Sequence, residues 1–125
     1  MSNPIGIALS GLNTATLRVT TAATNIANEE SGAAAPSAGA AYSGYTPQDV
    51  VAIASDGGVT SSVQARSPAY RLAANPDGSG EVAVLNVDTT TEMIGLDQAK
   101  LAYGADAKLI RAADQMQKTA IDLLG

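Results

Sequence analysis

Apolar side chains recur every seven residues near the beginning of the chain, which predicts a helix over residues 3–28. The two interleaved series are Ile5, Leu12, Val19 and Ile26, and Leu9, Thr16 and Ala23. Asn3 is a good N-cap, and Pro4 suits the first helical position because no backbone N–H is needed there. Positions a and d of about three heptads are thus filled, the pattern of a coiled coil.

Small residues form a second stripe on the same predicted helix. Ala8, Ala15 and Ala22 recur at the heptad spacing beside the apolar series and would let another helix approach closely. The opposite face is rich in threonine, whereas a solvated helix face normally carries Lys and Glu. We therefore predict that the threonine face contacts protein.

The strongest helix prediction covers residues 88–125. Thr89 and Glu92 have the spacing of a capping box, with Asp88 as an alternative cap. The apolar series here are Ala102, Leu109, Met116 and Leu123, then Ala105, Ala112 and Thr119, widened by Ile94, Leu101, Ile110 and Ile121. Asp114 and Lys118 are spaced for an i,i+4 ion pair.

Two glycines interrupt this C-terminal helix, and each costs about 1 kcal/mol relative to alanine. Gly95 and Gly104 mark either a close approach by a neighbouring backbone or simple weak points. The sequence leaves both explanations open.

The segment between the helices predicts a little β-structure. Residues 29–41 are Ala, Gly, Ser and Pro with almost no bulky side chain, which indicates a loop or disordered linker. Strands are predicted at 48–55, 59–66, 70–73 and 81–85. The Asp56-Gly57-Gly58 and Asn75-Pro76-Asp77-Gly78 sequences are turn signals between them.

The predicted fold is therefore α+β and mainly α, with long terminal helices pairing as a coiled coil around a small β-hairpin or three-stranded segment. The division is 1–28 (helix), 29–47 (loop), 48–86 (β segment) and 87–125 (helix). We call the large apolar heptad positions of both helices the predicted apolar seam and expect them to form an assembly interface. Its residues are Ile5, Leu9, Leu12, Val19, Ile26, Leu101, Leu109, Met116 and Leu123.

The composition favours burial against neighbours. The chain has 25 alanines, four tyrosines and neither Trp nor Phe. Large side chains provide most of the burial free energy, about 25 cal/mol per Å² of apolar area. Such a chain buries little alone, so we expect its burial to be completed by copies of itself or by partners.

The residue composition and the net charge exclude several functional classes and make others improbable. Without Cys or His, the chain has no thiolate or imidazole metal ligand, no cysteine nucleophile and no Ser-His-Asp triad. A net charge of −5 makes nucleic acid a poor partner. Residues 2–28 contain Arg18 and many polar residues and lack a basic n-region, so we predict neither a cleaved signal peptide nor membrane insertion.

No catalytic arrangement emerges from the remaining polar residues. The 12 carboxylates have no spacing that singles out an acid/base pair or a calcium loop. No Ser-x-x-Lys occurs, and Gly78-Ser79-Gly80 lacks the context of a phosphate loop. We predict a protein that is not an enzyme and needs no cofactor or metal.

Both ends of the chain resemble bacterial flagellar axial proteins. Residues 8–12 (Ala-Leu-Ser-Gly-Leu) and 24–28 (Thr-Asn-Ile-Ala-Asn) are similar to the opening helix of that family. Residues 86–93 (Asn-Val-Asp-Thr-Thr-Thr-Glu-Met), 102–108 and 113–116 resemble its C-terminal signatures. The motif residues are Asn25, Asn28, Asn86, Val87, Asp88, Glu92, Met93, Tyr103 and Lys108.

The middle of the chain, at under 60 residues, resembles the short proximal-rod type usually called FlgC. Asp106 departs from the family pattern, in which Asn is usual. The resemblance implies a structural subunit of the basal-body rod, the torque-transmitting drive shaft in the periplasm. It also implies export through the flagellar type III apparatus without a cleaved signal, and assembly with copies of itself and other rod proteins.

Two other functions remain open from the sequence. One is another flagellar axial component. The other is a small non-enzymatic adaptor whose helices bind one partner, which a folded isolated monomer or dimer would favour.

Overall fold

Two helices and five strands make up the computed structural model, which describes residues 3–37 and 39–124. The predicted α+β class is confirmed, and the two helices, of 24 and 36 residues, account for about half of the chain. The elements are α1 Pro4–Ala27, β1 Ala33–Ala34, β2 Gln48–Ser55, β3 Gly58–Ala65, β4 Tyr70–Ala74, β5 Glu81–Leu85 and α2 Thr89–Leu124.

The ends of α1 follow the sequence signals. The Asn3 side chain accepts a hydrogen bond from the backbone N–H of Ile5 at 3.1 Å, and Pro4 opens the helix. The helix ends at Ala27, and the N–H of Asn28 bonds back to the Thr24 carbonyl at 3.2 Å. Asn3 therefore satisfies one of the N–H groups that every helix start leaves free.

The start of α2 corrects one prediction. Asp88, the alternative cap, accepts a hydrogen bond from the N–H of Thr91 at 2.7 Å. Thr89 instead bonds its hydroxyl to the Glu29 carboxylate, and Glu92 is turned inward to other partners. The capping box is absent here because both of its side chains make contacts outside the helix.

The two helices pack against each other in antiparallel orientation, since Asn25 contacts Glu92 while Gly11 lies against Asp106. On α1 the buried heptad positions are Ala8, Ala15 and Ala22. On α2 the positions that recur at seven residues are buried Glu92, Ala99 and Ala113, with half-buried Asp106 between them.

The helices thus meet through the small-residue stripe and not through the predicted apolar seam, which is a correction. Small side chains let the two axes approach closely, and the backbone at Gly11 leaves room for the Asp106 carboxylate. Gly95 and Gly104 mark no such approach, because a Cβ at either position would meet nothing within 4 Å.

The β2–β3 hairpin lies along α1. Its eight-residue strands pair from Gln48↔Ala65 to Ser55↔Gly58, and the turn at Asp56 uses positive φ at Gly57 (92°). The Val59 N–H donates to Ser10 Oγ at 3.0 Å. The buried Thr14 hydroxyl lies 2.7 Å from Ser61 Oγ of the same hairpin. Part of the threonine-rich face of α1 therefore contacts protein, as predicted.

A second, separate sheet has the antiparallel order β1-β5-β4, and we call it the sheet lobe. Ala83 and Leu85 of β5 are its most buried side chains, at 0% and 3% exposure. The predicted strands of the middle segment are all present. The region predicted as a loop contributes β1, because Ala33 and Ala34 pair with β5 through their backbone, which needs no bulky side chain.

Candidate functional site

Asn25, in the last turn of α1, is completely buried and uses all of its hydrogen-bonding positions. Its Nδ2 donates to the Gln48 carbonyl at 2.8 Å and to Glu92 Oε1 at 3.1 Å. Its Oδ1 accepts from the Gln48 N–H at 3.0 Å and from the Tyr45 hydroxyl at 2.8 Å. The amide therefore joins the end of α1 to the first residue of β2 and to the first turn of α2.

Arg66, just after β3, completes this cluster. Its Nη2 donates to Glu92 Oε1 at 2.7 Å and to Asp49 Oδ1 at 2.6 Å, and its Nη1 donates to the Asn86 carbonyl at 2.8 Å. We call the cluster the polar junction, and its residues are Asn25, Tyr45, Gln48, Asp49, Arg66, Asn86 and Glu92.

The electrostatics of the polar junction favour its charged pairs. Hydrogen bonding to Asp49 raises the pKa of Arg66, which keeps the guanidinium charged. Burial, and secondly the negative charge of Glu92, raise the pKa of Tyr45, so its hydroxyl stays a donor. Glu92 is only 8% exposed, and removing the cation from a buried pair leaves an uncompensated charge.

The motif residues divide into two groups in space. Asn25, Asn86 and Glu92, from opposite ends of the chain, come together in the polar junction, and Asp88 caps α2 beside it. The Asn28 side chain donates to the Thr24 carbonyl of its own helix, and Val87 is half-buried. The remaining motif residues, Met93, Tyr103 and Lys108, are exposed on α2.

The predicted apolar seam faces outward on both helices. The exposed fractions are 51% for Leu9, 38% for Val19, 75% for Leu101, 42% for Leu109, 62% for Met116 and 81% for Leu123. The half-buried members are Ile5, Leu12 and Ile26. The chain itself therefore leaves most of these side chains uncovered.

α2 extends beyond the start of α1. Every residue from 114 to 124, which we call the overhang, is exposed. Ala112, Met116, Thr119, Ala120 and Leu123 line a shallow apolar groove of about 560 Å³ along it. The Asp114–Lys118 ion pair, at 2.8 Å, confirms the predicted i,i+4 contact on this stretch.

A second shallow groove, of about 400 Å³, lies between the two helices on their outer side. Val19 and Thr20 of α1 and Leu96, Lys100 and Tyr103 of α2 line it. Both grooves run along helices and are mostly apolar, a form that suits the side chains of another helix better than a small polar substrate.

Three exposed threonines of α1 form hydrogen bonds within their own helix. Thr16, Thr20 and Thr24 each donate a hydroxyl hydrogen bond to the carbonyl four residues earlier, at 2.9, 3.1 and 2.8 Å. We call these three residues the threonine ladder. Their polar groups are thus occupied within the helix.

Sequence reasoning missed half of the polar junction. Tyr45, Gln48, Asp49 and Arg66 carried no motif. Asn25 was noted only for the family resemblance, and Glu92 for that resemblance and for the predicted capping box. The available signal was the single arginine at the end of an otherwise uncharged strand, residues 58–65, because a charged residue there needs a partner.

Within the part of the chain that the structure describes, no three acidic side chains gather in a way that could hold a metal ion. Over the same residues, neither helix has the length and apolar character needed to cross a bilayer. The polar junction has its hydrogen bonds satisfied internally, which is the arrangement of a structural joint.

Comparison with protein families adds a decisive observation. Residues 79–123, which include β5 and nearly all of α2, match the family described as flagellar basal body rod FlgEFG protein C-terminal. This segment of the chain is similar to the flagellar rod family. The resemblance to the flagellar rod protein family is thereby confirmed over this segment, while the N-terminal motif residues lie outside the matched range. No curated protein matches the chain.

The family match supports a structural role in the flagellar rod, with assembly among rod components and a place in the basal body. The flagellar rod family is a structural, non-enzymatic one. In this rod segment, Glu92 and Asn86 belong to the polar junction, whereas Leu101, Leu109, Met116 and Leu123 lie on the outward apolar surface.

Proposed function

We propose that this chain is a rod subunit of the proximal, FlgC-like type that assembles helically with copies of itself and with other rod proteins to transmit torque. The observation that carries the proposal is the match of residues 79–123, together with the outward position of the predicted apolar seam. We further propose that α1 and α2 pack as coiled coils with the helices of neighbouring subunits.

Much of the apolar surface of α2 is left unburied by the chain itself. Leu101, Met116 and Leu123 are each more than three-fifths exposed on one helix. Large exposed apolar side chains along one helix are typical of an interaction site. A repeated contact between different surfaces of identical subunits that does not close into a ring produces a helical filament.

Export through the flagellar type III apparatus, without cleavage of a signal, belongs to the same proposal, as does the periplasmic location of the rod. The support is the resemblance of both chain ends to the axial proteins. Mass spectrometry of the protein from isolated basal bodies tests it. An intact encoded N-terminus is expected, and a product shortened by some twenty residues, the size of a secretory signal, contradicts it.

The decisive experiment replaces one outward leucine. Leu109→Asp is expected to abolish incorporation into basal bodies and swimming, while the circular dichroism of the purified chain stays the same, because Leu109 is 42% exposed. Arg111→Asp is the matched control, since Arg111 is also exposed, belongs neither to the motif nor to the predicted apolar seam, and makes no side-chain hydrogen bond or ion pair among the described residues. Normal swimming with Leu109→Asp, or with the analogous Leu12→Asp, contradicts the proposal.

One observation favours the alternative of a self-contained adaptor. The two helices already pack against each other within a single chain. An adaptor would sediment as a stable monomer or dimer and would be missing from isolated basal bodies. Quantitative mass spectrometry of basal bodies separates these outcomes, and its stoichiometry relative to other axial proteins distinguishes a rod subunit from another flagellar axial component.

A further inference from the structure

The sheet lobe has little to hold it in place. Within residues 3–37 and 39–124, no residue of β1, β4 or β5 has its Cα atom within 8 Å of a Cα atom of α1, α2, β2 or β3. The two helices and the hairpin, by contrast, pack together into what we call the helix–hairpin body. The orientation of the lobe relative to the body must therefore be set by the connecting segments.

The chain crosses between the body and the lobe four times. The crossings follow α1 (residues 28–32), precede β2 (35–47), follow β3 (66–69) and follow β5 (86–88). Four adjacent crossings with no packed interface form a joint, and relative motion is the default for units that share so little interface.

We propose that Arg66 is the clamp of this joint and fixes the angle of the sheet lobe. Arg66 belongs to the crossing after β3, and its Nη1 donates to the Asn86 carbonyl in the crossing after β5, at 2.8 Å. The same guanidinium is bonded to Asp49 on the hairpin at 2.6 Å and to Glu92 on α2 at 2.7 Å. One side chain thus ties two crossings to both parts of the body.

Other hydrogen bonds near the joint do less. Tyr45 ties the crossing before β2 to Asn25, and Glu29 with Thr89 links the ends of the two helices. The Asn86 side chain bonds to the Pro68 carbonyl, which joins two crossings to each other but not to the body. Among the described residues, Arg66 is the one whose side chain contacts both the crossing after β5 and the helix–hairpin body, while Arg66 itself belongs to the crossing after β3.

The fork of the guanidinium makes this role specific to arginine. Its Nε and Nη2 donate to Asp49, Nη2 also donates to Glu92, and Nη1 donates to the Asn86 carbonyl, so one planar group reaches three partners. A lysine has one ammonium at the end of a flexible stem and cannot hold Asp49, Glu92 and the Asn86 carbonyl in one plane. This inference concerns the chain alone and does not depend on the proposed function.

Spin-label distances test the clamp, and the absence of cysteine lets labels be placed freely. One pair, Glu81→Cys and Arg111→Cys, reports the lobe relative to the body. A second pair, Ala23→Cys and Arg111→Cys, reports the helix pair alone. All three positions are exposed.

The clamp is removed by Arg66→Met together with Glu92→Gln, so that no buried carboxylate is left without its cation. The expected result is a lobe-to-body distance distribution at least about twofold broader, with the helix-pair distribution unchanged, as local loosening without global unfolding requires. Arg66→Lys is expected to broaden the lobe-to-body distribution by a smaller amount. Arg71→Met, an exposed arginine of the lobe, is the matched control and should leave both distributions unchanged.

Two results overturn the proposal. A lobe-to-body distribution that stays as narrow in the double variant as in the unsubstituted chain shows that Arg66 does not hold the joint. Equal broadening of both distributions in the double variant and in Arg66→Lys shows that Arg66 holds the helix pair together and is not a clamp on the lobe.

Discussion

The side-chain amide of Asn25 donates a hydrogen bond of 3.1 Å to the carboxylate of Glu92, a residue 67 positions later in the chain. The two residues come from motifs at opposite ends of the sequence, and their contact lies beside the start of the β2–β3 hairpin, where Asn25 also holds Gln48. A single buried amide therefore links α1, β2 and α2, and its removal should destabilise the packing of all three elements.

Asn25→Ala is expected to lower the free energy of unfolding by about 3 kcal/mol, because the Tyr45 hydroxyl and the Gln48 backbone lose buried partners that cost about 1–3 kcal/mol each to leave unpaired. Urea denaturation followed by circular dichroism measures the change. Asn28→Ala is the control one turn later, where the side chain bonds only its own helix at 2.8 Å, and it should cost less than about 1 kcal/mol. Equal effects of the two substitutions would show that the polar junction adds nothing.

Gly11 and Gly104 should respond in opposite ways to alanine. A Cβ at Gly104 meets nothing within 4 Å, so Gly104→Ala should stabilise the chain by about 0.5–1 kcal/mol through helix propensity. A Cβ at Gly11 would collide with the Asp106 carboxylate, so Gly11→Ala should lose that gain. Thermal melts of both variants provide the comparison.

Asp106→Ala checks the cause assigned to Gly11. If the carboxylate is the obstacle, Gly11→Ala should be stabilising in the Asp106→Ala background and not in the unsubstituted chain. A double-mutant cycle in which the two changes are additive would refute the close contact.

Two leucines should differ strongly when truncated. Leu85→Ala is expected to cost about 2–5 kcal/mol, because Leu85 is 3% exposed in the sheet lobe. Leu123→Ala should change the unfolding free energy by less than about 0.5 kcal/mol, because Leu123 is 81% exposed on the overhang. Denaturant titrations compare the two variants at one protein concentration, which must be low enough to prevent assembly. A large decrease in the unfolding free energy of Leu123→Ala would mean that the overhang is covered in the free chain.

Asp88 should make the start of α2 sensitive to acid. Its hydrogen bond from the Thr91 N–H lowers the pKa of the carboxyl below its ordinary 3.8, so the folded state binds the proton less tightly than the unfolded state. The stabilisation is therefore complete above pH 3.8 and is lost as the pH falls through the lower, folded pKa.

Asp88→Asn keeps an oxygen that can cap the helix but does not titrate. We expect the difference in stability between the unsubstituted chain and this variant to be constant at neutral pH and to diminish below about pH 4. Comparing the two proteins cancels the other carboxylates. Parallel curves throughout the acid range would exclude a contribution from Asp88.

Much of the secondary structure followed from local signals. Asn3 and Pro4 predicted the start of α1, and Asp56-Gly57 predicted the hairpin turn, because caps and tight turns depend on the neighbouring few residues. β1 was missed, since Ala33 and Ala34 pair only through backbone groups that every residue carries.

The buried face of each helix followed only in part, because the sequence predicted a close approach by another helix at Ala8, Ala15 and Ala22 but paired the two helices through the predicted apolar seam. Large apolar residues at a and d favoured the predicted apolar seam, yet Ala8, Ala15 and Ala22 occupy the contact with α2. Hydrophobicity alone ranks leucine above alanine, whereas close packing within one chain rewards small side chains. The polar junction was equally hidden, because Asp49 and Arg66 lie far from Glu92 in sequence and become partners only through the hairpin.

The threonine ladder changes what the outer side of α1 offers to a neighbour. Because the hydroxyl protons of Thr16, Thr20 and Thr24 are already committed to main-chain carbonyls, covering these residues strands no donor. Desolvating these hydroxyl groups therefore costs less than the residue names suggest, because each donor keeps its hydrogen bond when water is excluded. A hydropathy scale therefore understates how readily this face can enter a dry interface.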